Sequence, residues 1–135
     1  MAMREKRPEP FGNMHFRVEI DGLHETRAVE VIFPEARIVA GEDRSRTVHH
    51  GSLILRRGLT DSREWYDWWD RARRSSRELG RSVAVVLLDP GGRDVQRWTF
   101  GDCEPGAYLL SSLDALGNAA LIETLELSVG AFEMS

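Results

Sequence analysis

The chain has 135 residues, 41% of them hydrophobic and 30% charged, which is enough for one domain with a substantial core. Its formal net charge of -4 disfavours a protein that binds nucleic acid through an overall positive field. A single cysteine, Cys103, excludes an internal disulfide bond, and we expect the chain to fold in a reducing cytoplasm.

The N-terminal segment, residues 1–12, is charged and contains two prolines. It lacks the apolar run of a secretion signal, and no stretch of the sequence approaches the roughly 20 apolar residues of a membrane span. We therefore predict a flexible arm over residues 1–12, a single domain over residues 13–135, and no membrane association.

The next part of the chain predicts β-strands. In residues 14–20 apolar and polar side chains alternate, which is typical of a strand with one buried face. Further strands are predicted over residues 27–33 and 53–57, and residues 36–40 are expected to continue the earlier of these two. Residues 41–51 are polar and bounded by glycines, which predicts a loop or an exposed hairpin.

The middle of the chain predicts the only helix. Asp61 and Glu64 have the spacing of a capping box, in which an acceptor at the N-cap is followed three residues later by a carboxylate. Gly80 is the predicted C-cap, which gives a helix of about 17 residues. One face of this helix is aromatic, and it is predicted to pack on the sheet, although aromatic side chains are also common in interface cores. The residues predicted to pack the helix are Trp65, Trp68 and Trp69.

The C-terminal half returns to strand patterns. Residues 82–89 contain a continuous apolar run that predicts a strand buried on both faces, and a turn then leads to an alternating strand over residues 94–100. Pro105 and Gly106 are expected to break the next segment, and residues 118–129 predict a long final strand. The chain is therefore predicted to be mainly β, a β-barrel or two-sheet sandwich of about seven or eight strands, with one α-helix.

The side chains that could support catalysis do not form a recognisable site. His49 and His50 are adjacent, so a strand would point them to opposite faces, and they would make a poor metal pair. Cys103 lies between Asp102 and Glu104, whose charges would raise the pKa of its thiol. The sequence has no phosphate-binding loop or nucleophile elbow. We predict no enzyme activity, no cofactor and no metal.

Glu123 is unusual because it shares a predicted strand face with Leu125 and Leu127. A carboxylate on an apolar face must be paired, or the face must be wet. Arg56 and Arg57 are candidate partners, and a polar lumen is the alternative.

Three segments, read together and in order, resemble the phage tail-tube family. The first runs from residues 51–61, GSLILRRGLTD, into the tryptophan-rich residues 65–69. The second covers residues 83–100 and is similar to the family's central hairpin. The third is residues 118–127, NAALIETLEL, and the segment FRVEIDG at residues 16–22 also fits the usual start of the family.

The chain departs from the family pattern at three places. Residues 31–34 replace a segment of Ser-Gly-Leu type, residues 49–51 replace a Pro-Gly step, and residues 128–130 replace an ending similar to His-Glu-Gly. In the family these are places where subunits and rings would touch. The chain is therefore expected to be either the main tube subunit or a variant such as a tube-initiating ring.

The resemblance implies an Hcp-like structural subunit of the inner tube of a contractile phage tail or phage-derived injection system. Six copies would close a ring with a hollow lumen, and rings would stack inside a sheath, with assembly in the cytoplasm. The implied partners are further copies of the chain, sheath and baseplate or initiator proteins, and a cargo of DNA or protein effector. The residues assigned to self-assembly are Glu42, Asp43, Arg44, Arg46, His49, His50 and Glu123.

Two other interpretations stay open at this point. One is a type VI secretion tube of the Hcp kind, or a tube-initiating or adaptor ring. The other is a small ligand-binding β-barrel, which would be a monomer. A measurement of particle size separates a ring or tube from that monomer.

Overall fold

A computed structural model of the chain describes residues 15–24, 26–75, 77–78 and 80–135. The predicted arm over residues 1–12 lies outside these ranges. Within them the chain forms nine strands and one helix, which confirms the predicted mainly β fold with one helix. The described residues contain no helix with the length and apolar character that crossing a bilayer requires.

The strands and the helix of the described residues follow one another along the chain. In chain order they are β1 (Phe16–Ile20), β2 (Glu30–Ile32), β3 (Ala36–Ala40), β4 (Arg46–His50), β5 (Leu53–Gly58), α1 (Glu64–Arg74), β6 (Arg81–Leu88), β7 (Asp94–Leu110), β8 (Ile122–Ser128) and β9 (Ala131–Met134).

Seven of the strands form one sheet in the order β1-β6-β7-β8-β5-β2, with β9 also paired to β7. Every pairing is antiparallel. The long strand β7 pairs with β6 through its first part and with β8 through its second part, so it belongs to both halves of the sheet. The path from β1 to β2 is open, so the strands do not close into a barrel.

One hydrophobic core of the described residues contains side chains from both halves of the sheet. Alternate residues of β5 and β8 are buried, as the two-residue period of a strand requires. In β6 the four consecutive residues Val83–Val86 are buried, as the continuous apolar run predicted. The buried members of the core are Val18, Ile20, Leu53, Leu55, Trp65, Trp68, Val83, Val85, Phe100, Cys103, Leu125 and Leu127.

The start of the helix differs from the prediction. The N-cap is Arg63, and it makes no side-chain capping hydrogen bond. The Glu64 carboxylate instead accepts a hydrogen bond of 2.7 Å from the backbone N–H of His24. The predicted capping box with Asp61 is therefore wrong. The Glu64 carboxylate that the box required is bonded to His24, in a distant segment of the chain.

The end of the helix also differs from the prediction. The helix has 11 residues and stops at Arg74, because Ser75 adopts an extended conformation. Gly80 is therefore not its C-cap. A Cβ atom at Gly80 would lie 3.0 Å from the backbone of Asp102, so glycine allows two segments to approach closely.

The predicted break at Pro105 and Gly106 is wrong. The strand β7 continues through both residues, with an irregularity in its pairing to β8 between Pro105 and Ala107. Proline has no N–H for the ladder, and a bulge at this point accommodates it. The final long strand begins at Ile122 and not at residue 118, since residues 111–121 form a loop.

Candidate assembly surfaces

The hairpin of β3 and β4 is an exposed two-stranded sheet that pairs with no other described strand. Ile38 is paired with Val48 at its centre, and these side chains are 65% and 54% exposed. All five residues of β3 are exposed. Residues 36–40 therefore form a hairpin with β4. The prediction that they continue the preceding strand is wrong.

The turn of the hairpin carries three of the predicted assembly residues, Glu42, Asp43 and Arg44. The Asp43 carboxylate accepts a 3.0 Å hydrogen bond from the backbone N–H of Ser45. Hydrogen bonds from Ser45 lower the pKa of Asp43. Arg44 has a φ of 66°, in the left-handed region that suits a tight turn.

The charges of this hairpin end are directed to solvent. Glu42, Arg44 and Arg46 are exposed, and none of them forms an ion pair with another residue of the described ranges. At the base, the N–H of Gly51 donates to the carbonyl of Glu35 at 2.8 Å, which closes the hairpin. The arrangement leaves three side-chain charges available to a neighbouring molecule.

His49 and His50 both lie in β4 and are paired with Arg37 and Ala36. Adjacent residues of a strand point to opposite faces, so the two imidazoles are not brought together. His49 is exposed, whereas His50 is half-buried and its Nδ1 atom has no hydrogen-bond partner among the described residues. Within those residues, no group of His, Cys, Asp or Glu side chains has the arrangement of a metal site.

Glu123, the remaining residue assigned to assembly, lies in the interior and is 1% exposed. Its carboxylate accepts a 2.6 Å hydrogen bond from Nε of Arg57, which confirms the predicted arginine partner. The Tyr108 hydroxyl donates to the other carboxylate oxygen. Burial and this carboxylate raise the pKa of Tyr108. Because the subunit encloses Glu123, we leave it out of the assembly surface.

The helix is held to the sheet by its tryptophans. Trp65 and Trp68 are 0% exposed and belong to the core, and the guanidinium carbon of Arg57 lies 4.2 Å from the centroid of the Trp65 ring. Trp69 is only half-buried, and its Nε1 donates a 3.1 Å hydrogen bond to the carbonyl of Gly106. The bulge next to Pro105 therefore supplies an acceptor that anchors the helix.

Cys103 is buried in the core, and its thiol lies 3.5 Å from the carbonyl oxygen of Phe100. Burial, together with the charge of Asp102, raises the pKa of this thiol to about 12. The thiol is therefore protonated at neutral pH, and it is a poor nucleophile, as the sequence predicted.

A second exposed surface was missed from the sequence. Leu113 and Leu116, in the loop between β7 and β8, are 85% and 94% exposed. The loop covers residues 111–121 and has a single charged residue, Asp114. That combination of leucines with almost no charge was a signal in the sequence, but the prediction of a strand from residue 118 obscured it.

The sequence matches the model of a known protein family over most of its length. The model of the family described as "T4-like virus tail tube protein gp19" matches residues 12–133. The chain belongs to this tail tube family. No curated protein sequence gives a significant match.

Three solved structures show the tail-tube fold of this chain. A chain of the anti-feeding prophage (AFP) baseplate, "6-fold symmetrised", is 24% identical with a TM-score of 0.70, over 96% of this chain and 97% of that one. A chain of the PVC sheath-tube complex, an extracellular contractile injection system in the extended state, is 15% identical with a TM-score of 0.66, over 93% and 91%. Hcp1 from Flavobacterium johnsoniae is 13% identical with a TM-score of 0.65, over 89% and 94%.

Proposed function

We propose that this tail-tube protein is a structural subunit whose copies close into hexameric rings and that these rings stack into a tube with a hollow lumen. The observation that carries the proposal is the hairpin of β3 and β4. A two-stranded hairpin alone is at best marginally stable in water, and this one also exposes Ile38 and Val48. Contact with another copy would cover these side chains and stabilise the hairpin.

The open sheet supports ring formation. Its edge strands β1 and β2 have one side without a strand partner in the described residues. Such edges invite pairing with another chain, and contact between different edges of successive copies closes into a ring when the rotation permits. The number six is taken from the AFP baseplate, which is described as six-fold symmetrised.

The hairpin residues take a defined part in this proposal. The turn charges of Glu42, Arg44 and Arg46 would pair with charges on a neighbouring ring and set its register, while Asp43 shapes the turn. His49 and His50 lie at the base of the hairpin, on opposite faces of β4. They would contact the copies on either side of it.

The wider assembly is proposed from the same family membership. The AFP and PVC structures are described as a baseplate and a sheath-tube complex, so we propose a sheath protein and baseplate or initiator proteins as partners of this chain. The lumen would carry DNA or a protein effector, and assembly would take place in the cytoplasm. The role is mechanical, with no enzyme activity and no cofactor.

Light scattering after size-exclusion chromatography, together with electron microscopy, tests the proposal. The expected particle is a ring of about 92 kDa, six times the 15.3 kDa of one chain, with a visible central hole and stacks at higher concentration. A species of only 15.3 kDa at high protein concentration would contradict it. That result would favour the ligand-binding alternative. The open sheet argues against this alternative, because the described strands do not close around a barrel interior.

A tube-initiating or adaptor ring is the second candidate function. It is favoured by the 24% identity to a chain of the AFP baseplate, against 15% to a chain of the PVC sheath-tube complex. The two candidates differ in polymer length. A main tube subunit gives long tubes by electron microscopy, whereas an initiating ring stops at single or double rings.

A further inference from the structure

We propose that the loop between β7 and β8 of one copy inserts its leucines into a groove beside the helix of the next copy in the same ring. This inference rests on the proposed tube function and names one contact between neighbours within a ring. We call the inserting segment, residues 111–121, the leucine loop. We call the receiving surface the aromatic groove, and it consists of Leu59, Tyr66, Trp69, Tyr108 and Leu110.

Ring contacts and a shared cavity join the members of the aromatic groove. The centroid of the Tyr108 ring lies 5.6 Å from that of Tyr66 and 6.1 Å from that of Trp69. Tyr66 and Tyr108 also line a cavity of about 310 Å³, together with Leu59 and Leu110. The three aromatic side chains are half-buried, and the two leucines are 40% and 52% exposed. The groove is therefore one largely apolar surface that is open to solvent.

The wall of this cavity suits an aliphatic side chain. Glu123 also lines the cavity, but its carboxylate already accepts hydrogen bonds from Arg57 and Tyr108. The cavities beside Arg27 and beside Arg97 have more charged side chains in their walls. Aromatic side chains are common in the cores of protein interfaces, where they form pockets for the side chains of a partner.

The tip of the leucine loop is a turn that the subunit already forms. The N–H of Gly117 donates to the carbonyl of Asp114 at 3.0 Å, and the Asp114 carboxylate accepts the N–H of Leu116 at 3.0 Å. Leu113 and Leu116 lie at this turn with 85% and 94% exposure. Because the tip is preorganised, inserting it costs less conformational entropy than inserting an unstructured loop. Both leucines and the groove would lose apolar surface to water.

The charge of the loop is opposite to the charge at the rim of the groove. Asp114 is the one charged residue of the loop. Arg63 lines the same cavity, and its guanidinium carbon lies 5.4 Å from the centre of the Tyr66 ring. Its side chain is 73% exposed, and its contact with Asp67 is a long one of 3.9 Å. Arg63 can therefore attract the acidic tip of a neighbour's loop and orient it.

The leucine loop and the aromatic groove lie at the same end of the sheet. The loop begins at Ser111, whose N–H donates to the carbonyl of Ile122 at 2.9 Å. Ile122 is paired with Gly58, the neighbour of Leu59 in the groove. With the ring axis along these strands, rotation moves each copy around the axis at constant height, so ring contacts join surfaces at the same end. A contact between stacked rings would join opposite ends.

A neighbouring copy is the occupant that the loop can reach. Within its own subunit the loop starts beside the groove, yet Leu113 and Leu116 stay exposed. Its 11 residues can project from the sheet by at most about half of their extended length, roughly 18 Å. Since the two surfaces differ, each copy gives its loop to one neighbour and receives the loop of the other, as a closed ring requires.

Disulfide trapping between two variants, each with one added cysteine, tests the contact. Leu116→Cys is mixed with a tagged Leu59→Cys chain, assembled and oxidised, and a dimer of the two different chains is expected on a denaturing gel. Because the added cysteines are on different chains, only a contact between copies gives this product. The matched control uses Val95→Cys in place of Leu59→Cys, and it is expected to give no mixed dimer. Val95 is also exposed, but it lies at the other end of β7.

A further variant checks the contact without added cysteines. Leu113→Ser/Leu116→Ser alters loop side chains that are almost fully exposed, so circular dichroism is expected to be unchanged. Light scattering is expected to show the 15.3 kDa single chain at concentrations where the wild type forms rings. The control Val95→Ser is expected to form rings as the wild type does.

The outcomes separate this inference from the proposed function. Rings that form without the mixed dimer, or that survive in the leucine variant, would overturn the inference and leave the tube function standing. Dimers formed by Leu116→Cys alone would show that two loops meet each other, which also overturns it. A wild-type particle of only one or two chains would remove both the function and the inference.

Discussion

Arg57 and Glu123 face each other across β5 and β8 and are joined in the interior by a 2.6 Å hydrogen bond between Arg57 Nε and Glu123 Oε1. Their residues are 3% and 1% exposed. The guanidinium also lies over the Trp65 ring, so one buried ion pair links two strands to the helix. An enclosed charge pair of this kind depends on both members, since either one alone would be an uncompensated buried charge.

Removing the arginine of this pair is expected to destabilise the subunit strongly. Arg57→Ala leaves the Glu123 carboxylate without its main partner, and breaking a buried pair typically costs about 3–5 kcal/mol. The matched control is Arg56→Ala, which removes the partner of Glu30 in a pair whose side chains are 42% and 51% exposed. Exposed pairs contribute about 0–1 kcal/mol. Urea unfolding of both variants measures the difference, and equal unfolding midpoints would contradict it.

Trp68 and Trp69 are expected to contribute differently to the free energy of unfolding. Trp68 is 0% exposed, and its truncation to alanine should lower the free energy of unfolding by about 3–5 kcal/mol. Trp69 is half-buried, so Trp69→Ala is expected to cost less than Trp68→Ala. Thermal unfolding followed by circular dichroism compares the two. If both variants melt like the wild type, the aromatic face belongs to a subunit interface and not to the core.

Reversing two charges of the hairpin is expected to weaken stacking without affecting the fold. Arg44→Glu/Arg46→Glu alters exposed side chains that form no ion pair within the described ranges, so circular dichroism should be unchanged. Electron microscopy is expected to show rings without stacks.

The control for this variant is Arg77→Glu/Arg93→Glu, which makes the same change in net charge at two exposed arginines outside the hairpin. It should stack normally. Intact tubes with the hairpin charges reversed would show that this segment does not join rings, and a loss of folding would show that it belongs to the core.

The buried thiol predicts a dependence of stability on alkaline pH. The pKa of Cys103 is about 12 in the folded chain against an ordinary 9.0, so the folded state holds the proton more tightly than the unfolded state. The resulting stabilisation is complete below pH 9.0 and is lost as the pH rises towards 12. The wild type should therefore lose stability relative to Cys103→Ala by up to about 1.4 kcal/mol per pH unit.

Urea unfolding of the wild type and Cys103→Ala at several pH values from 8 upwards measures this difference, with about 9 as the turning point. Below that pH the gap between the two proteins should be constant. A gap that stays constant through pH 11 would show that the thiol ionises equally in both states.

The sequence predicted the elements best where one pattern of apolar side chains dominates a segment. Residues 14–20 alternate, and β1 occupies Phe16–Ile20 with Val18 and Ile20 in the core. The apolar run over residues 82–89 became β6. In both segments the side-chain pattern and the burial agree, so local information is sufficient.

The errors arose where a distant contact overrode a local signal. Asp61 and Glu64 fit a capping box, but His24 took the Glu64 carboxylate. Pro105 and Gly106 fit a break, but pairing on both sides of a bulge carries β7 through them. The exposed leucines of the loop, Leu113 and Leu116, were not predicted either, because the strand predicted from residue 118 obscured the loop that carries them.

The hairpin has a consequence for the kinetics of polymerisation. No other described strand pairs with it, so under the proposed function a neighbouring copy would supply much of its order. The first contact between two copies therefore bears the entropy cost of ordering the segment, with few contacts to offset it. Under the proposed function, later copies meet more than one neighbour in an existing ring, so more contacts offset the same cost. Growth should accordingly show a lag that shortens when preformed stacks are added as seeds. Free subunits would then persist in the cell until an initiating ring starts polymerisation.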